Sequence, residues 1–299
     1  MSDVRHPSSE GRSLRPNALR PVVRLALALA LGASAAGLAG CASTSGAAKK
    51  ALNPDPPGRM YATADSFLQQ RDFKAAAQKF EELDRDHPYA PEARRAVVMA
   101  AWAYYKDGKY PEAIASARRY TTMHPGTKEA ALAHHIIASS YFDDINDPAR
   151  DQTATRKALK ELRILQQRYP QSRYAKETAN RIRIAEDILA ASEMNVGRYY
   201  LKRKNYLAAI NRFKTVVQRY QTTKHVEEAL MRLTEAYMAL GIRKEAQTAA
   251  AVLGHNFPQS PWYRDAYQLL ASDGLAPREN RGSWISRTWR AAVKAVSLN

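Results

Sequence analysis

Few side chains in this 299-residue chain have types and spacings that could do chemistry. Cys41 is the single cysteine, which excludes a disulfide framework and any zinc site built on several thiolates. Nothing beside it would lower the thiol pKa, so it does not read as a catalytic nucleophile. His134 and His135 are adjacent. On a helix they point about 100° apart and cannot share a metal as an i, i+4 pair would. The run Asp143-Asp144-Ile145-Asn146-Asp147 opens like a calcium loop. Counted from Asp144, however, the fifth position is Pro148, the sixth is Ala149 instead of glycine, and the twelfth is Thr155 instead of a bidentate glutamate. A solvated acidic loop fits it better. Glu81, Glu82, Asp84 and Asp86 read as the wet face of a helix end. There is no glycine-rich phosphate loop, no Ser/His/Asp set and no argued pair of carboxylates. The expectation is a protein that is not an enzyme and holds no cofactor or metal.

The sequence before Cys41 gives that thiol a different role. Residues 1–24 carry Arg5, Arg12, Arg15, Arg20 and Arg24, and Leu25 to Gly40 is 16 residues without a charge. That run is shorter than the ~20 residues a spanning helix needs. A basic segment followed by a short apolar one is a secretory signal. Leu38-Ala39-Gly40-Cys41 resembles the lipobox of bacterial lipoproteins. The resemblance implies that the thiol takes diacylglycerol, that the chain is cut before Cys41, and that the new amine is acylated. Residues 1–40 are thus expected to be a lipoprotein signal peptide and Cys41 the lipidation site. The alternative is a signal peptide that contains a cysteine by coincidence. The whole chain has 46 Lys+Arg against 29 Asp+Glu, a net +17; without residues 1–40 it carries +14. Two or more acyl chains hold stably, and the charge adds attraction to an anionic leaflet. Nucleic acid is the other usual partner for such a charge, but an exported protein does not meet it.

Residues 41–59 read as the lipidated cysteine and a flexible tether, because Pro54, Pro56 and Pro57 interrupt any helix and nothing is periodic. Ala42 to Gly58 would reach roughly 20–25 Å as a coil and about 55 Å if stretched. Residues 60–272 repeat. A turn of a small or basic residue, a polar one and an aromatic or apolar one is followed three positions later by alanine. The strings are Arg71-Asp72-Phe73 with Ala76, Gly108-Lys109-Tyr110 with Ala113, Lys204-Asn205-Tyr206 with Ala209 and Gly241-Ile242-Arg243 with Ala246, while Ala158 follows a longer loop. Twelve residues beyond each alanine comes Pro88, Pro125, Pro170, Gln221 or Pro258. An aromatic marks each first helix: Phe67, Tyr104, Tyr141, Tyr200 and Tyr237. The pattern resembles the tetratricopeptide repeat. It predicts an all-α solenoid of about five helix-turn-helix repeats, closed by a capping helix over Pro261 to Ala271. The excess over the simple repeat falls in the loop Asp143–Thr153 and in a long helix within Ser172 to Arg203.

Such solenoids bind through a concave face. The repeat pattern places Tyr61, Asp65, Leu68 and Gln69 on it, then Arg95, Val98, Trp102, Tyr105 and Lys106, then Leu132, His135, Ser139 and Phe142. The second half contributes Met194, Arg198, Leu201, Lys202, Glu228, Met231, Glu235 and Met238. The candidate peptide groove is Tyr61, Arg95, Trp102, Tyr105, Lys106, His135 and Phe142. Aromatic area with charge-assisted donors suits a peptide with an aromatic end and a free carboxylate. The alternative for any one aromatic is that it packs the repeats together.

The last segment, 273–299, reads as a linker and a basic amphipathic helix. Ile285, Trp289, Ala292, Val293 and Val296 form one stripe, with Arg287, Arg290 and Lys294 off it. Such a helix lies on lipid or docks in a partner's groove, and the solenoid is expected not to need it. A disordered tail is the alternative.

The lipobox, the proline-rich tether and five unequal repeats together resemble the BamD family, lipoprotein subunits of the outer-membrane β-barrel assembly (BAM) complex. The strings that carry the resemblance are Met60-Tyr61-Ala62-Thr63-Ala64, Ala103-Tyr104-Tyr105-Lys106, Arg168-Tyr169-Pro170-Gln171-Ser172-Arg173-Tyr174, Gly197-Arg198-Tyr199-Tyr200 and Ala209-Ile210-Asn211-Arg212. The resemblance covers about 38–272. It implies a lipid anchor on the periplasmic face of the outer membrane. It also implies a non-enzymatic role: receiving unfolded outer-membrane β-barrel proteins and holding BamA and other BAM subunits. Arg212 matches the family's BamA contact. The loop in repeat three looks short for the family, and the tail after Ser272 looks extra. A tetratricopeptide lipoprotein serving another envelope or pilus assembly is the second reading, and a cell-wall enzyme is a third.

Overall fold

The computed structural model describes residues 55–145 and 147–296. The signal peptide, Cys41 and the tether up to residue 54 lie outside the described residues. Every regular element described is a helix: α1 (Pro57–Gln69), α2 (Phe73–Asp86), α3 (Pro91–Lys106), α4 (Tyr110–Met123), α5 (Lys128–Asp143), α6 (Thr153–Arg168), α7 (Thr178–Lys202), α8 (Tyr206–Arg219), α9 (Val226–Ala239), α10 (Arg243–Asn256), α11 (Pro261–Ser272) and α12 (Trp284–Val296).

The first ten helices form five antiparallel pairs, each packed on the next. The second helix of each pair buries an alanine, a residue four later and a residue seven later. In α2 these are Ala76, Phe80 and Leu83; in α8 they are Ala209, Phe213 and Val216. That spacing is one helix face, and alanine keeps the partner helix close. The turns within four pairs are alike. Arg71, Gly108, Lys204 and Gly241 all have φ between 60° and 75°. In each, the next residue's N–H donates to the carbonyl five positions back, as in Asp72 to Phe67 and Ile242 to Tyr237. This is a left-handed C-cap, suited to glycine, and Arg71 and Lys204 adopt it at a cost of ~1 kcal/mol or more. Asp72 and Asn205 then accept from the N–H groups of Ala75 and Ala208 as N-caps. Each second helix stops on an aromatic residue whose backbone has left the helical region: His87, His124, Tyr169, Tyr220 or Phe257. In four of them proline follows and excludes helical backbone at the residue before it.

Two boundaries differ from expectation. α1 starts at Pro57, inside the expected tether, because proline is well suited to a helix's first turn. The long helix begins at Thr178, after a turn over residues 170–177. The insert before α6 is held by its own side chain: buried Gln152 donates to the carbonyls of Asp147 and Arg150.

The tail corrects the expectation of a free helix. α12 lies against α8 and α10. Ile285 is fully buried, and Trp284 and Trp289 pack on the core of repeats four and five. The expected linker runs along α10. Gln247 Nε2 donates to the Ala276 carbonyl at 2.8 Å, the Asn280 N–H to Thr248 Oγ1 at 3.1 Å, and Ser283 Oγ to Glu245 Oε2 at 2.5 Å. Trp284 Nε1 donates to the Tyr237 hydroxyl at 3.0 Å. Glu245, Gln247 and Thr248 thus form a polar surface on α10. That surface receives the tail and was not legible as a receptor.

Candidate functional site

The first helices of successive repeats touch, α1 on α3 and α3 on α5, so their side chains form one continuous face. On it, Tyr61, Trp102, Tyr105, His135 and Phe142 are half-buried, and Arg95 and Lys106 are exposed. Val98, Ser139, Met194 and Met231 are buried and belong to the packing, which corrects their assignment to the open surface. Repeat spacing finds the face of the helix but not how deeply each position sinks.

Two groups form on this face. In the first, the Arg95 guanidinium lies 5.3 Å from the Tyr61 ring centre, and Tyr61 meets Phe80 edge-on at 5.3 Å. Burial raises the Tyr61 pKa, partly offset by Arg95. The second group is larger. Trp102 and Tyr105 are 5.6 Å apart, with Lys106 Nζ 4.7 Å above the Trp102 ring. The Tyr105 hydroxyl donates to Asp143 Oδ2 at 2.7 Å. Burial and that bond push its pKa up to about 12, so it stays a donor. Arg181 Nη1 donates to Ser139 Oγ at 2.9 Å, and its guanidinium stacks 5.3 Å over Phe142. His135 stacks on Tyr174 at 4.7 Å.

Asp143, Tyr174 and Arg181 were not among the expected groove residues. Arg181 comes from the start of α7, ahead of the positions the repeat pattern aligns, so no spacing marked it. Asp143 was read as loop, although it ends α5 one residue after Phe142. In the second half the charges pair with one another. Arg198 meets Glu228 at 2.8 Å, and Arg232 meets Glu228 at 3.4 Å and Glu235 at 2.9 Å. Arg212 is exposed on α8, with Nη1 3.2 Å from Glu193 Oε2. His134, the other half of the histidine pair, meets Glu161 at 2.8 Å. No group of acidic, cysteine or histidine side chains among the described residues could hold a metal. No described helix is long and apolar enough to cross a membrane.

His135 gives this face a pH signature. Burial first, then Arg181, lower its pKa to about 4, against the opposing pull of Glu177 and Asp143. The unfolded chain, near 6.5, takes up this proton before the folded one does. The group's contribution to stability is therefore complete above pH 6.5 and is lost as pH falls from there toward 4. Between pH 7 and 5, wild type should lose more stability than His135→Gln, measured by denaturant titration at each pH. Equal losses would place the acid sensitivity elsewhere.

Residues 54–253 match the YfiO family, described as outer membrane lipoprotein. A Caulobacter vibrioides protein described as outer membrane protein assembly factor BamD is 42% identical over 258 residues, 86% of this chain and 83% of that one. The protein of the same description from Rickettsia prowazekii is 36% identical over 215 residues, 72% and 86% of the two chains. The chain belongs to the BamD family. Its relatives by that name are described as outer membrane protein assembly factors. The BamD-family match begins at residue 54 and stops at residue 253, so α11 and the docked tail lie beyond it. Among solved structures, PilW, a type IV pilus biogenesis factor, aligns at 18% identity with a TM-score of 0.27 over 71% of this chain and 98% of that one. That alignment is too loose to bear on function.

Proposed function

We infer that this chain is a non-enzymatic subunit of the BAM complex. It is held by lipid on Cys41 at the periplasmic face of the outer membrane. There it receives unfolded β-barrel proteins on the face of α1, α3 and α5, and it holds BamA through the surface around Arg212. Family membership supports the setting. The observation that carries peptide binding is the contiguous row of Trp102, Lys106, Tyr105, Asp143, Arg181 and Phe142. It offers half-buried aromatic area beside donors that are already oriented. An extended peptide gains apolar contact from the rings and hydrogen bonds from the polar edge.

Trp102→Ala separates this role from packing. As an anchor of bound peptide, Trp102 should contribute about 1–3 kcal/mol, a loss of roughly 5- to 150-fold in affinity, with a small change in melting. A residue of the folding core would cost about 3–5 kcal/mol of stability instead. Titration with a peptide from the last strand of a barrel protein, beside thermal melts, gives both numbers. Unchanged affinity with a collapsed melt would end the groove assignment.

A further inference from the structure

Two cations expected to meet a peptide carboxylate, Arg95 and Lys106, lie on separate rings, over Tyr61 and over Trp102. A second set lies one step along the same face. Lys128, Ala131, His135, Ser139 and Phe142 recur at helical spacing on α5, so the groove stripe continues toward the start of that helix. There a cavity of about 480 Å³ opens between α5 and the turn after α6. Lys128, Arg168 and Arg173 line it with Tyr169 and Tyr174, and no carboxylate is among its lining residues. All three cations are exposed, and none has an ion pair among the described residues. Arg173 donates to the Tyr174 hydroxyl at 2.6 Å and its guanidinium lies 4.8 Å over the Tyr174 ring, so its charge meets no carboxylate. The same wall holds Ser172, whose hydroxyl is buried without a hydrogen-bond partner. Tyr174 forms this wall and also stacks on His135, so the cavity and the groove share a side chain.

We propose that this cavity is the carboxylate subsite of the peptide face. A bound peptide places its negative group among Lys128, Arg168 and Arg173, while an adjacent apolar or aromatic residue lies along Tyr169 and Tyr174. Three cations without a carboxylate partner line the rim, and a single bound carboxylate would accept charge-assisted hydrogen bonds from them. His135 is neutral at pH 7, so it adds no charge of its own there. The volume takes one or two side chains, which fits the end of a segment better than its middle. A peptide is favoured over a free anion because the cavity is continuous with the apolar face. This proposal rests on the peptide-binding reading above.

The test is fluorescence anisotropy with the full lipidated chain in detergent and three labelled ten-residue peptides. One ends in phenylalanine with a free carboxylate, one is the same peptide amidated, and one is amidated with an aspartate before the phenylalanine. Wild type should bind the first about tenfold or more tightly than the second. Tight binding of the third as well would extend the subsite to side-chain carboxylates; weak binding would restrict it to the chain end. Either result supports the proposal. The combined variant Lys128→Gln, Arg168→Gln and Arg173→Gln should bind all three equally, at the wild-type affinity for the amide, and should melt like wild type because the three side chains are exposed. Equal binding of acid and amide by wild type, or a preference that survives in the variant, overturns the subsite and leaves the peptide face standing. If wild type binds none of the peptides, both readings fall.

Discussion

Deleting residues 276–299 is expected to lower the temperature at which repeats four and five unfold by roughly 5–15 °C. The deletion removes Ile285, which is fully buried, and uncovers Thr248 on α10, which accepts from the Asn280 N–H. It also removes the bond from Trp284 Nε1 to the Tyr237 hydroxyl and the stacking of Lys214 Nζ 5.0 Å over the Trp284 ring. Losing a buried isoleucine alone costs about 2–5 kcal/mol. Repeat proteins hold stability locally, so the loss should concentrate in the C-terminal half. Hydrogen exchange would show faster opening of α8 and α10 and little change in α1 to α4. Ile285→Ala should reproduce part of the effect without changing chain length. An unaltered melt for both variants would show that the docked helix contributes nothing to the fold.

The tail also shows where sequence reading ran out. Its stripe of Ile285, Trp289 and the residues beyond was legible as an amphipathic helix, and so was its basic opposite face. Its binding place was not. An apolar stripe states that something must cover it, and not which surface does. The receiving surface on α10 reads as helix interior, because in the sequence Thr248 sits directly among the buried alanines Ala246, Ala249 and Ala250. Repeats, by contrast, state their own partners. Alanine after the turn, a closing proline in four of five and an aromatic on each first helix predict five pairs and the order in which they stack. The same logic found the inner face but mistook Val98 and Met194 for its lining. Arg181 stayed hidden because it enters from a segment where the repeat period is broken.

Cys41→Ser should abolish stable membrane association. The prediction rests on the sequence Leu38-Ala39-Gly40-Cys41 and on no described helix being able to span a bilayer. Each buried methylene of an acyl chain contributes about 0.8 kcal/mol, so losing several chains outweighs any attraction of the basic surface to the leaflet. The variant should carry no fatty-acid label. It should also accumulate with its signal attached or appear in the soluble fraction. Equal labelling of mutant and wild type would rule out lipidation at this residue. Because the anchor and the solenoid are separate in the chain, the soluble variant should keep the wild-type melt.

The central claim is that this chain works by holding BamA while its inner face receives unfolded barrel proteins. Arg212 is exposed on α8 and, among the described residues, pairs with Glu193 at 3.2 Å, a surface pair that contributes little to stability. Its guanidinium is therefore free to exchange that partner for an acidic group on BamA. Truncating or reversing a contact of this kind at a desolvated interface costs about 2–5 kcal/mol. The decisive measurement is the amount of BamA recovered with tagged chain from detergent-solubilised envelopes. Wild type should bring BamA down in quantity, and Arg212→Glu should lose most of it while keeping its helicity and its membrane anchor. Wild-type chain recovered without BamA would contradict the account.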